Sequence, residues 1–235
     1  MTARLDHSGV LGNERLTAQA GTFLLVLALV EVATVPALRA MLPVHFFVGV
    51  LLAGPVVVKT GSTGWRFVRY YAGQPAYRRK GPPRMALRVL APVLLAATLA
   101  VVGSGIALAV TGPAPPILLR IHVISFMVWL VTLVIHVVAY VARALRLTAD
   151  DWRRRRVDPV VPATRARTVA NLAALAAGAI GGVLALPAAS PWAAWLEGSS
   201  QVRVFLVYAA AAMVAGLATL LLRRSRNSPQ PPEAS

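Results

Sequence analysis

Long apolar stretches, each closed by charged residues or by proline and glycine, restrict the fold of this chain more than any other feature. A helix needs about 20 consecutive apolar residues to cross the hydrocarbon core of a bilayer. Six stretches approach or exceed that length: 20–38, 44–59, 86–111, 117–145, 168–186 and 202–222. Backbone polar groups in lipid must pair within the chain, so we expect all six to be helices. The predicted fold class is therefore all-α, a polytopic membrane protein with six transmembrane helices.

Charge is concentrated in alternate connections between these stretches. The formal net charge is +16, and only 14% of residues are charged. The basic residues cluster between the second and third stretches, between the fourth and fifth, and in the C-terminal tail. By the positive-inside rule these segments face the cytoplasm. We therefore expect a multi-pass protein with both termini cytoplasmic, with the lipid bilayer and no nucleic acid as its partner.

The sequence contains no cysteine. This excludes disulfides, catalysis by a thiol, and an iron–sulfur cluster held by thiolates of this chain. A redox function would need another cofactor.

Three of the four histidines lie in apolar stretches, and they are the first candidates for a functional site. Ionisable residues inside a membrane are costly and indicate function by default. His45 and His122 each lie a few residues from the start of stretches that run in the same direction, so we expect them at similar depth. His136 follows His122 by fourteen residues, which on a helix corresponds to about 21 Å and about 40° of rotation.

Small and aromatic residues surround these histidines on the predicted helix faces. Gly49 follows His45 by one turn, and Ser125, Phe126 and Trp129 share the face of His122. Such residues suit the edge of a flat apolar macrocycle, and we predict that all four contact a bound cofactor. Small residues also serve contacts between membrane helices, so Gly49 alone is weak evidence.

The spacing of the histidines resembles that of the membrane cytochrome b superfamily, four-helix proteins that hold b-type haem between two histidines. The segment Lys-Thr-Gly-Ser-Thr-Gly-Trp-Arg-Phe-Val-Arg-Tyr-Tyr at 59–71, followed by Tyr77 and by Gly-Pro-Pro at 81–83, is similar to a bacterial branch of that superfamily. The resemblance covers roughly residues 20–147.

The resemblance implies that His45 and His122 are the two axial ligands of one haem b near the outer face of a bacterial plasma membrane. The implied function is transfer of single electrons to or from a quinone or an extracytoplasmic redox subunit. The chain would be a subunit of an oxidoreductase complex, and not a stand-alone enzyme.

The chain departs from the di-haem pattern at the inner side of the membrane. The residue fourteen positions after His45 is Lys59, which we expect to reach the cytoplasmic headgroups. His136 therefore has two open interpretations, as ligand of a second haem or as a structural or proton-handling residue. Glu31 also has two, as a proton relay or as a hydrogen-bond partner of another helix, for example at Ser104.

These features give a predicted division of the chain: a cytoplasmic N-terminal segment at 1–19, a four-helix haem-binding bundle at 20–147, a basic cytoplasmic loop at 148–167, a C-terminal helical hairpin at 168–222 and a disordered tail at 223–235. Gly178 and Gly182 predict close packing within that hairpin. The alternative function is that of a haem-free membrane protein, either a small transporter or an assembly or structural subunit.

Overall fold

A computed structural model describes residues 2–79, 81, 85–113, 115–153, 161 and 164–197, and within them it contains helices and no strand. Eight α-helices are present: α1 Thr2–Thr34, α2 Leu38–Leu51, α3 Ala53–Tyr71, α4 Pro75–Arg79, α5 Met85–Thr111, α6 Pro116–Arg153, α7 Thr164–Ala185 and α8 Ser190–Glu197. Two short 3₁₀ turns lie at Val35–Ala37 and Leu186–Ala189. The all-α fold class is confirmed. The predicted stretch 202–222 and the tail lie outside the described residues, so the count of six helices stays a prediction.

Four helical segments are long and apolar enough to cross a membrane: Gly9–Tyr71, Leu87–Thr111, Pro116–Arg153 and Thr164–Glu197. Their outward-facing side chains include large hydrophobic residues, such as Val110 and Leu184, which are more than 70% exposed. Apolar surface of this kind is stable against hydrocarbon and costly in water. The helices are consistent with a multi-pass membrane protein in contact with a bilayer.

The first of these segments turns back on itself. The 3₁₀ turn at Val35–Ala37 separates α1 from α2, and Pro43 and the non-helical backbone of Met41 kink the start of α2. Asn13 donates a hydrogen bond to the Ser62 carbonyl near one end, and Thr34 contacts His45 near the other. α1 and the nearly continuous pair α2 and α3 are therefore antiparallel neighbours.

Helices α5 and α6 form a second antiparallel pair. Gly112 ends α5 with a positive φ of 71°, which glycine adopts without steric cost, and its N–H bonds the Leu108 carbonyl at 2.9 Å. Trp129 of α6 is buried against Ala97 of α5 and Ala28 of α1. This apolar contact joins the two antiparallel pairs.

Helix α7 packs directly on the backbone of α2 and α3 through glycine. A Cβ atom at Gly178 would lie 2.6 Å from the Leu51 carbonyl oxygen, and one at Gly182 would lie 2.7 Å from the Phe47 carbonyl oxygen. Gly54 of α3 lies even closer to the backbone carbonyl of Ala174 in α7. We expected Gly178 and Gly182 to pack within a hairpin of the fifth and sixth stretches. Both glycines pack on α2, the helix that carries His45, and the sixth stretch lies outside the described residues, so the hairpin stays a prediction.

Replacing Gly178 with alanine is expected to destabilise the fold. The added methyl group would collide with backbone atoms of Leu51, which cannot rotate away, and overpacking of this kind costs about 1–3 kcal/mol. Thermal unfolding in detergent would show a lower midpoint temperature. Gly103→Ala is the matched control, because a Cβ atom there meets nothing within 4 Å. Equal midpoints for the two variants would contradict the packing described here.

Candidate functional site

His45 of α2 and His122 of α6 lie next to each other. Their ring centroids are 6.4 Å apart and their planes are nearly perpendicular, at 84°. Both side chains are partly buried. The two histidines that the sequence predicted at similar depth are therefore brought together by the fold.

The Nδ1 atom of His45 is held by α1. It lies 2.8 Å from the Thr34 hydroxyl oxygen and 3.0 Å from Glu31 Oε1. The Thr34 hydroxyl donates its own hydrogen to the Glu31 carbonyl at 2.6 Å, so its oxygen accepts from the histidine. These contacts favour the tautomer with hydrogen on Nδ1 and leave the lone pair on Nε2.

The Nδ1 atom of His122 is held in the same way by α5. It lies 3.0 Å from the carbonyl oxygen of Val101 and 3.2 Å from the Ser104 hydroxyl. A carbonyl oxygen only accepts, so Nδ1 of His122 also carries the hydrogen. In the part of the chain that the structure describes, neither histidine has a hydrogen bond to Nε2. Both rings therefore keep an electron pair available for a ligand.

Glycine allows close approach on both sides of the histidine pair. A Cβ atom at Gly105 would lie 3.1 Å from Cε1 of His122, so α5 can approach that ring. A Cβ atom at Gly49 would lie 3.2 Å from Glu31 Oε1. The space beside Gly49 holds the carboxylate that contacts His45, and the contact of Gly49 with a macrocycle stays a prediction.

The other predicted cofactor contacts lie on the buried face of α6. Ser125 bonds the His122 carbonyl at 3.1 Å, so its hydroxyl is used within its own helix. Phe126 and Trp129, with ring centroids 6.1 Å apart, pack in the apolar core that α6 forms with α1 and α5. These three residues fix the rotation of α6, and thereby the direction of the His122 side chain.

Several residues of the site were missed from the sequence. Thr34, Val101 and Gly105 were not singled out. A hydrogen bond to another helix, for example at Ser104, was one of two interpretations of Glu31; Glu31 and Ser104 each contact a different histidine. Glu31 and Thr34 are polar residues one turn apart on an apolar helix, and this spacing could have indicated that both belong to the site. Val101 acts through its backbone carbonyl, for which no sequence signal exists.

A second group of polar side chains lies further along the same helices. Nζ of Lys59 is 2.8 Å from the position that a Cβ atom of Gly21 would take. The rings of His136 and Tyr140 lie 4.9 Å apart. Within the described ranges no hydrogen bond or ion pair to Lys59 Nζ, to the His136 ring or to the Tyr140 hydroxyl is found.

A buried carboxylate joins three helices near the C-terminal end of α6. Asp151 is fully buried and accepts hydrogen bonds from Arg15 and Gln19 of α1 and from Arg167 and Thr164 of α7, at 2.7–3.3 Å. Residues 148–167 were expected to form a basic loop. Helix α6 extends to Arg153 and α7 begins at Thr164, so both helices enter that range, and the ion pair of Asp151 with Arg167 joins them there.

The histidine pair fits an iron porphyrin by two criteria. Two bonds of about 2 Å from a metal to imidazole nitrogen place the centroids of opposed rings roughly 6 Å apart, close to the observed 6.4 Å. Metal-binding histidines usually donate their second N–H to a carboxylate or a backbone carbonyl, as both do here. The described residues hold no group of three or more ligating side chains, and a porphyrin needs only two.

Comparisons with family models, with curated proteins and with solved structures find no match to this chain. The resemblance to membrane cytochromes b therefore rests on the sequence segments quoted above.

Proposed function

We propose that this chain is a membrane b-type cytochrome that transfers single electrons. The observation that supports this proposal most is the approach of His45 and His122 to 6.4 Å, with each Nδ1 engaged and each Nε2 available. One haem b held between them would alternate between the ferrous and ferric states.

The residues of the chain have three tasks in this function. His45 and His122 would hold the iron through Nε2, and the haem would supply one-electron chemistry with both of its remaining ligand positions taken by imidazole. Glu31 and Thr34 orient His45, and Val101 and Ser104 orient His122. Hydrogen bonds to the distal nitrogen make imidazole a better donor, so these four residues would also tune the reduction potential.

The electron donor and acceptor are proposed from the position of the histidines. With the basic connections in the cytoplasm, the ends of α2 and α6 that carry His45 and His122 face outward. A quinone in the bilayer or an extracytoplasmic redox subunit is then the nearest partner. We assign one haem to the chain, and the protein to an oxidoreductase complex of a bacterial plasma membrane.

The visible spectrum of the purified protein tests this function. The difference between the dithionite-reduced and air-oxidised forms is expected to show sharp low-spin b-type bands, because two imidazoles fill the axial positions. A pyridine haemochrome assay is expected to give about one haem per chain. About two haems would assign His136 to a second site. No haem, after expression with ample haem supply, would contradict the proposal.

The second candidate is a haem-free transporter or structural subunit. It is favoured by Lys59, His136 and Tyr140, which present polar groups without partners in the described helices. In such a protein His45 and His122 would only join helices, and the spectrum would show no haem.

A further inference from the structure

The histidine pair lies near the ends of the three helices that surround it. His45 is about two helical turns from the start of α2, and His122 is about two turns from the start of α6. Gly105, which faces His122, is about two turns from the end of α5. A site so close to the helix ends is accessible to water unless another element covers it.

A layer of leucine side chains lies one turn nearer to these helix ends than the pair. Each leucine is three positions closer to a helix end than the site residue on the same helix: Leu42 on α2, Leu119 on α6 and Leu108 on α5. Residues three positions apart share a helix face, so these leucines lie on the side of each helix that carries the site. Leu42 and Leu108 are buried in one apolar cluster, and Leu119 packs against it.

Helix α8 supplies the other half of this cluster. Trp192 and Leu196, four positions apart on α8, are only 6% and 7% exposed and pack with the leucines of the layer. The indole Nε1 of Trp192 donates a hydrogen bond to the Leu108 carbonyl oxygen at 3.3 Å. Helix α8 therefore lies across the ends of α2, α5 and α6, with its buried face toward the histidine pair.

The two tryptophans of α8 have different surroundings. Trp195 is 42% exposed and lies outside the cluster, with its ring centroid 5.5 Å from that of Trp192. An exposed tryptophan at a helix end suits the interface between membrane and water. A helix that only lay at this interface would have no need to bury Trp192 and to satisfy its N–H inside the bundle.

We propose that α8 is a cap that keeps water and small water-soluble redox agents away from the histidine pair, and that Trp192 is the residue that closes it. An apolar shell controls solvent access to a metal site and thereby its reduction potential. This selectivity rests on the proposed function, because a haem between His45 and His122 would be shielded from dissolved oxidants. The closure itself does not depend on haem.

Labelling of an introduced cysteine measures the closure without haem. The chain contains no cysteine, so Leu42→Cys places a single thiol beneath the cap. A membrane-impermeant maleimide is expected to label it slowly. Adding Trp192→Ala should raise the rate at least about tenfold, because labelling of a buried thiol follows local opening. Trp195→Ala is the matched control, since it removes the same ring from an exposed position of the same helix and should leave the rate unchanged.

Two further variants separate an open cap from an unfolded protein. Ala97→Cys places a thiol in the core beside Trp129, outside the cluster that α8 covers, and it should stay slowly labelled when Trp192→Ala is added. Trp192→Phe keeps an apolar ring and should protect Leu42→Cys nearly as well as the wild type. Fast labelling at both cysteine positions would overturn a local role for Trp192. Equal effects of Trp192→Ala and Trp195→Ala, or no effect of either, would overturn it as well.

Oxidation of the reduced protein by ferricyanide tests the selectivity. Trp192→Ala should be oxidised at least about tenfold faster than the wild type and Trp195→Ala, because a small anionic oxidant reaches an uncovered site. Faster labelling without faster oxidation would overturn the selectivity. A protein that binds no haem would contradict the proposed function and the selectivity with it, whereas the labelling rates would still decide whether α8 closes the site.

Discussion

Replacing either His45 or His122 with alanine is expected to abolish the low-spin haem spectrum, with haem content reduced at least tenfold. Each substitution removes one of the two proposed iron ligands, and one imidazole cannot hold a low-spin iron alone. His136→Ala is the matched control, because it removes an imidazole from the same helix as His122 but away from the pair. Its spectrum should match that of the wild type. The measurement is the pyridine haemochrome assay combined with the reduced minus oxidised spectrum.

The result is interpretable only if the variants fold. Size-exclusion chromatography in detergent should give the same elution volume for all three alanine variants. Folded protein that keeps low-spin haem without His45 would exclude His45 as a ligand. Equal haem loss in all three variants would mean that the pair of ligands was chosen wrongly, or that a second haem binds at His136.

Replacing Asp151 with alanine is expected to be among the most destabilising single changes in this chain. The side chain is fully buried and accepts hydrogen bonds from the guanidinium groups of Arg15 and Arg167. Its removal would take a charged acceptor away from both of these buried guanidinium groups. Removing one partner of a buried ion pair costs about 3–5 kcal/mol.

The adjacent residue provides a control for this change. Asp150→Ala removes the same charge from an exposed position on the same helix, and surface changes of this kind usually stay within about 0.5 kcal/mol. Reversible unfolding in mixed detergent micelles would measure both variants. If Asp151→Ala unfolded at the same denaturant concentration as Asp150→Ala, the cluster would not stabilise the fold.

Helix α7 packs on the helix that carries His45, although it lies outside the segment that resembles cytochromes b. Gly182 and Gly178 bring it onto the backbone of α2 at Phe47 and Leu51, two and six residues after His45. Arg167 and Asn171 attach its other end to α1 and α6. We infer that α7 holds α2 in the position in which His45 can face His122.

The sequence by itself determined the all-α class and the pairing of His45 with His122. The length of an apolar stretch and its helical periodicity are local properties of the sequence. When two helices run in the same direction and their first residues are known, the depth of each side chain follows from its distance to the start of its helix. The basic connections predict the orientation in the membrane for a similar reason, since charge resists transfer into hydrocarbon wherever it occurs, and that orientation stays a prediction.

Only the tertiary structure decided which groups hold those histidines and what the glycines contact. The carbonyl of Val101, the carboxylate of Glu31 beside Gly49, the approach of Gly178 to Leu51 and the ion pairs of Asp151 all depend on the rotation and separation of neighbouring helices. Helical periodicity fixes which residues share a face, but every face of a membrane helix can be apolar, whether it meets lipid or protein. Which face meets which neighbour is therefore decided by packing and by hydrogen bonds between residues far apart in the chain.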